Sequence, residues 1–434
     1  MTRISGWGRY PWAEARIQHP ATNGDAARLL AQSAQPLIAR GMGRSYGDSA
    51  LADEVLGSER RQLLLDFDRG AGILRCQGGV TLADLLGFLV PQGWFLPVTP
   101  GTKFVTVAGA IASDVHGKNH HGEGCFSAFV DEIELLLGDG RVLRCSPQEH
   151  APLFHATCGG MGLTGIILSA QLRLKRIASA WIEQTTLKAG SLAEVAALME
   201  EHRGAPYSVA WIDCLSTGRA MGRSLLMLGR HAEEGSLEAG RPARLAVPVD
   251  APQLLLNRHA IRAFNALYYH RVRRVWQVER VHYEPYFYPL DGIRGWNRLY
   301  GKPGFVQYQM VVPRAAGVQG LGAILERIGA SQRGSFLAVL KLLGPENGNH
   351  LSFPLEGYTL ALDFKVSPGL FELLEELDAM VLALGGRLYL AKDSRMSAAT
   401  FRAGYPRLDA FRGVLREYGA AGRFASHQSR RLDI

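Results

Sequence analysis

Residues 40–50 read RGMGRSYGDSA and follow directly on the apolar run PLIA at 36–39. The three glycines can expose consecutive backbone N–H groups to an anion as a nest, with Ser45 and Ser49 as further donors. Two familiar phosphate loops do not fit. A dinucleotide fingerprint would need glycine where Tyr46 stands, and a Walker loop would need a Gly-Lys-Ser/Thr ending that is absent. A tight surface turn closed by Asp48 is the competing reading, and surrounding sequence has to decide.

Composition narrows the classes. A chain of 434 residues, 47% hydrophobic and 20% charged, can bury a large core and holds two or three domains. The N-terminus MTRISGWGRYPWAEARIQHP lacks the apolar run of a signal peptide, and no stretch approaches the ~20 apolar residues of a spanning helix. The expectation is cytoplasmic synthesis. Cys76, Cys125, Cys145, Cys158 and Cys214 are odd in number and lack zinc spacing, so they read as buried thiols. The net charge of +8 suits a phosphorylated or anionic-lipid partner, and no nucleic-acid motif accompanies it.

The first 175 or so residues alternate short strand signals with glycine punctuation. RQLLLDFD (61–68) and GILRCQGG (72–79) read as strands. TLADLLGFLVPQG (81–93) has helical spacing behind a Thr81 N-cap, and DEIELLLGDGRVLRCS is a hairpin about Gly138-Asp139-Gly140. LSAQLRLKR alternates as a half-buried strand. Beyond it, Ser191 and Glu194 form a capping box, and the strands SVAWIDC, GFVQYQMVVP, SFLAVLKLLG and YTLALDFKV are interleaved with helices near VQGLGAILERIG and LFELLEELDAMVLALGG. This predicts an α+β chain: a first domain over 1–178, a sheet domain with helices on one face over 179–386, and a C-terminal segment, 387–434. In VQYQM, Gln307 and Gln309 share one strand face because side chains alternate.

Two further small-residue segments decide the first loop. TPGTKFVTVAGAIASDVHGKNHHGEG (99–124) and CGGMGLTGII (158–167) bring backbone close to something flat and large. The triple arrangement resembles the PCMH-type FAD-binding domain of the vanillyl-alcohol-oxidase superfamily. The strings GRSYGD, GG.GLTGII, WNR.YG..GF.QYQ, SF..V.KL.GP.N, LSFP..G, GGRLY.AKDSR and FAS…RRL narrow it to the decaprenylphosphoryl-β-D-ribose 2′-oxidase family, the flavoprotein half of a polyprenylphosphoryl-ribose 2′-epimerase.

That resemblance implies a two-domain flavoprotein whose substrate domain carries an antiparallel sheet. It implies FAD held by Arg40, Gly41, Met42, Gly43, Arg44, Ser45, Tyr46, Gly47, Asp48, Ser49 and Ala50 in the first loop. Gly101, Thr106, Val107, Ala108, Gly109, Ser113, Asp114, Val115 and His116 follow in the second, with Ile167 and Tyr389 elsewhere. The implied reaction oxidises the 2′-hydroxyl of a lipid-linked ribose, and an NAD(P)H-dependent short-chain reductase completes the epimerisation. Lys392 is implied beside flavin and substrate, with Lys341, Gln307, Gln309, Phe287 and Ala361 at the sugar or its phosphate. His116 is the alternative base; base identity stays open, and a metal site at His116, His120 and His121 lacks partner spacing. Ala361 stands where family members carry cysteine, and Phe287 where they carry tyrosine, so the sugar and isoprenoid length stay open. The alternatives are a soluble sugar-lactone or alditol oxidase of the same superfamily and a non-catalytic flavin-binding protein.

Arg44 occupies the position at which several superfamily oxidases carry a flavin-linking histidine, so non-covalent FAD is expected. The stretch LNRHAIRAFNALYYHRVRRVWQVER (256–280) sets six arginines against one glutamate among aromatic and aliphatic residues. It reads equally as a membrane-surface or lipid-phosphate contact and as a helix packed on its own domain. The expected placement is peripheral on the inner membrane, with periplasmic action left open.

Overall fold

The computed structural model describes residues 1–240, 243, 245–252 and 257–434. Leu256, which opens the basic stretch, lies outside them. The glycine-rich loop hangs between two parallel strands, Leu37–Arg40 and Glu54–Gly57. Trp12–Gln18 runs parallel to the second of these, and Thr2–Ser5 pairs antiparallel at the edge. The loop is tied on both sides. Trp7 N–H donates to Ser45 O at 2.8 Å, and Tyr46 N–H donates to Ala391 O at 3.0 Å.

A five-stranded antiparallel sheet follows, in the order Leu64–Asp68, Ile73–Gln77, Ile166–Arg173, Val130–Leu136, Val142–Cys145. Its hairpin turns at Gly140, whose φ of 89° needs glycine, while Asp139 accepts the Arg141 N–H. The helix Leu82–Leu89 buries Leu82, Leu85, Leu86 and Leu89, the i, i+3, i+4, i+7 face, and Thr81 and Asp84 cap it reciprocally.

The second domain is an eight-stranded sheet. Its central strands Tyr207–Ile212, Ala338–Leu343, Gly357–Lys365 and Phe305–Pro313 are antiparallel neighbours. Helices Leu192–Glu201, Gly317–Ala330 and Leu370–Ala383 pack on one face. The opposite face is left for a cavity. Register there sets Gln309, Ala361, Val339 and Trp211 in one row across four strands. The expected capping box at Ser191 forms only by half. Ser191 accepts the Glu194 N–H, but the Glu194 carboxylate takes the N–H of Gly190, one residue earlier than a reciprocal box requires.

Arg387–Leu388 pairs with Phe305–Pro313, and the remaining chain runs back over the first sheet. Phe424 bridges Leu37, and Arg431 makes a two-pronged contact with the Asp48 carboxylate while also reaching Asp393 at 2.8 Å. The architecture is α+β and two-domain. No helix among the described residues is long and apolar enough to cross a membrane.

Candidate active site

One large cavity runs between the two sheets. From the first loop it is lined by Arg40, Gly41, Met42, Gly43, Arg44, Ser45, Tyr46, Ser49 and Ala50. Among the described residues, the backbone N–H groups of Met42, Gly43, Arg44 and Ser45 donate to no protein acceptor. Four consecutive free amides at a cavity wall form an anion cradle suited to a pyrophosphate. Arg40 is not part of that offer. Its guanidinium donates to Ala50 O at 3.0 Å and Ser5 O at 2.7 Å, closing the loop on itself. Arg44 lies 4.0 Å over the Trp7 ring with its Nε buried and unpartnered.

The second segment contributes Gly101, Thr106, Ala108, Gly109, Ser113, Val115 and His116, and the third contributes Ile167. Thr106 caps the helix Val107–Ala112 by accepting the Gly109 N–H. The Val107 and Ala108 amides are already bonded to Val80 O and Gly78 O, so this helix offers small side chains, not free donors.

Four residues assigned to the cofactor from sequence do not line the cavity: Gly47, Asp48, Val107 and Asp114. Each has a packing reason. Gly47 lies against the chain, where a Cβ would fall 1.9 Å from Asp393 O, and Val107 is core. Asp48 is taken by Arg431. Asp114, fully buried, accepts from Asn347, Asn349 and Ser352 side chains and from Ser127 N–H. It fastens the 344–354 loop to the first domain.

The other wall comes from the sheet face, with Gln307, Gln309, Lys341 and Ala361, from the short helix Tyr283–Phe287, with Phe287, and from the turn after Arg387–Leu388, with Tyr389 and Lys392. Gln307 Nε2 donates to the buried Asp363 carboxylate at 2.6 Å. Tyr389 donates its hydroxyl to Ser113 O at 2.8 Å and stacks on Phe353. Lys392 Nζ sits 4.1 Å over the Tyr46 ring. Burial pulls this amine down to about 7, with Asp363 opposing and Lys341 adding to the shift. Burial likewise brings Lys341 down to about 8.

Sequence reasoning passed over Lys118, although it sits inside the quoted HGKNHH string. It lines the cavity, donates to Tyr286 O, and is brought by burial to about 7. Among the described residues, none of these three lysines lies within ion-pair distance of a carboxylate. Val209, Trp211, Met227, Leu337 and Val339, which carried no sequence signal, extend the cavity as an apolar arm together with Tyr268 of the basic stretch. His120 accepts the Gly344 N–H, and His121 bonds Ala205 O.

Residues 14–146 match the family model described as an FAD binding domain. The chain is 37% identical, over its full length and 97% of the relative, to the decaprenylphosphoryl-β-D-ribose oxidase of Mycolicibacterium smegmatis. The chain belongs to the decaprenylphosphoryl-β-D-ribose oxidase family. An alditol oxidase of a Streptomyces species is 25% identical over 98% of this chain and 97% of its own. A Streptomyces coelicolor protein, described as an uncharacterized protein in the mprA 5′ region, is 34% identical over 82% of this chain and all of its own.

The cofactor of this ribose oxidase family member is FAD, and the cavity fits it: free amides for the pyrophosphate and half-buried lysine amines further in. Arginine at position 44 cannot form the histidyl bond to flavin. Acid precipitation is therefore expected to leave the yellow colour in the supernatant, and a yellow pellet after washing would contradict this.

Proposed function

We propose that the chain oxidises the 2′-hydroxyl of a polyprenylphosphoryl-β-D-ribofuranose to the 2′-keto sugar, the first half of an epimerisation to the arabino form. The observation that carries this reading is that one cavity joins an anion cradle to three half-buried lysines without carboxylate partners and then to an apolar arm. FAD, when bound, accepts the hydride that leaves the carbinol carbon. Lys392 takes the hydroxyl proton, because an amine brought to about 7 is substantially neutral at physiological pH. The Tyr46 ring beneath it and the Asp363 carboxylate then hold the ammonium. Lys341, the least shifted of the three, supplies positive charge for the phosphodiester, whose own charge favours the protonated form of Lys118 beside it, and Gln307 and Gln309 orient the sugar. The aromatic walls, Phe287 and Trp296 among them, exclude water.

A 2′-keto sugar still has to be reduced, so the product passes to an NAD(P)H-dependent short-chain reductase. Incubation with a farnesylphosphoryl ribofuranose and trapping with borodeuteride tests the reaction. Deuterium at C2′ is expected; deuterium elsewhere, or none, would overturn the regiochemistry.

The lipid chain reaches the cavity from a membrane surface, on which the protein sits peripherally at the inner membrane. Tyr268 lines the apolar arm, while on the same helix, Arg258–His270, Leu267 is 74% exposed. Val275 and Trp276, beside and on the sheet's edge strand respectively, are 73% and 58% exposed, next to Arg271, Arg273 and Arg274. Apolar anchors ringed by arginine suit an anionic bilayer. Sedimentation with vesicles containing phosphatidylglycerol should capture the protein, and a variant with all three arginines changed to Glu should stay in the supernatant. Unchanged binding by that variant would remove this part of the account.

A further inference from the structure

His116 is buried in the cavity wall, and its two ring nitrogens have different surroundings. Nε2 lies 3.0 Å from Gln309 Nε2, whereas Nδ1 is buried without a partner among the described residues. The strand beyond Gln309 decides which nitrogen carries the proton. Thr359 gives its hydroxyl hydrogen to Met310 O at 2.8 Å, so toward Gln309, at 3.3 Å, its oxygen can only accept. The Gln309 amide therefore turns its NH₂ group to both neighbours. His116 Nε2 accepts one of those hydrogens, and the single proton of the neutral ring belongs on Nδ1. The charged ring is disfavoured by burial and by Lys341, His120 and Lys392, which hold it well below its ordinary value.

We propose that His116 is a fixed Nδ1–H donor to an oxygen of the cavity's occupant, not a general base, and that Gln309 and Thr359 are the positioning residues that set this tautomer. The inference rests on the reading of the cavity as a flavin and alcohol site. With Nε2 engaged and Nδ1 protonated, the ring has no free lone pair to receive the hydroxyl proton. A fixed N–H in a water-poor cavity instead stabilises negative charge developing on an oxygen, whether a flavin carbonyl or the sugar oxygen.

The test uses holoprotein labelled with ¹⁵N-histidine, the His116 signals being those lost in His116→Asn. The Nδ1–H tautomer should persist from about pH 6 to 9. Thr359→Val should mix the two tautomers, and Thr359→Ser should restore one. In kinetics, His116→Ala should lose about a hundredfold in flavin reduction by substrate. Asparagine, whose amide nitrogen overlays Nδ1 but cannot take a proton, should recover at least about tenfold of that loss. A flavin absorbance band altered in substrate-free His116→Ala and restored in His116→Asn makes the acceptor a flavin oxygen. An unaltered band with the same kinetic rescue makes it the sugar oxygen, and both outcomes support the proposal. An Nε2–H tautomer, an imidazolium in this pH range, or an asparagine variant as slow as alanine would overturn it. Failure of the substrate reading would appear separately, as wild-type flavin that no lipid-linked ribose reduces.

Discussion

Lys392→Ala is expected to slow reduction of the bound flavin by substrate about a thousandfold, a loss of ~4 kcal/mol in transition-state stabilisation, while FAD stays bound. The cofactor cradle, Met42 to Ser45, owes its free amides to backbone that Lys392 does not touch. The amine proposed to take the proton, in contrast, disappears. The pH profile carries the sign. A base must be neutral to act, so with the amine at about 7 the wild-type rate should fall roughly tenfold per unit below that pH and level off above it. The alanine variant should lose this acid limb. Stopped-flow reduction across pH checks both statements. A limb that persists in the variant would assign the proton to another group, and Asp363, itself raised by burial to about 7, would be the first to examine.

The second large effect is expected from Gly47→Ala. The added methyl would meet Asp393 O at 1.9 Å and Ser394 Cα at 2.8 Å, both backbone atoms. Neither can rotate away. The glycine loop and the segment that carries Lys392 must separate, which costs more than about 3 kcal/mol and should also weaken FAD retention. Thermal unfolding and the flavin-to-protein absorbance ratio report the two consequences. A variant with wild-type melting and full flavin would show that the contact between the loops is dispensable.

Gly47 also shows how far the sequence could be read. The spacing of small residues at 41–50, 99–124 and 158–167 marks backbone brought close to a large ligand, because few side chains permit that approach. It does not say which glycine faces the ligand and which faces another strand. Gly43 lines the cavity; Gly47 faces residue 393. Asp48 and Asp114 lie off the cavity lining for a related reason. A carboxylate inside a cofactor loop looks like a ligand group, yet its partners, Arg431 in one case and Asn347, Asn349 and Ser352 in the other, lie more than 200 residues away.

Period-two alternation put Gln307 and Gln309 on one face. Their neighbours across the sheet, Ala361, Val339 and Trp211, depend on registers that no local pattern encodes. Thr359 and Asp363 went unnoticed as well. Their parts come from the strand beside them, Thr359 accepting from Gln309 and Asp363 from Gln307. Lys118 is the omission the sequence could have prevented, since it stands between His116 and His120 inside the segment read as cofactor-binding.

The most direct measurement is the anaerobic absorbance of the yellow holoprotein mixed with farnesylphosphoryl-β-D-ribofuranose. The oxidised-flavin band should bleach in proportion to added substrate, and the corresponding arabinofuranose should bleach it far more slowly. A fully flavinated protein whose band is unchanged by the ribofuranose but bleached by free alditols would contradict the account and make the substrate a soluble polyol.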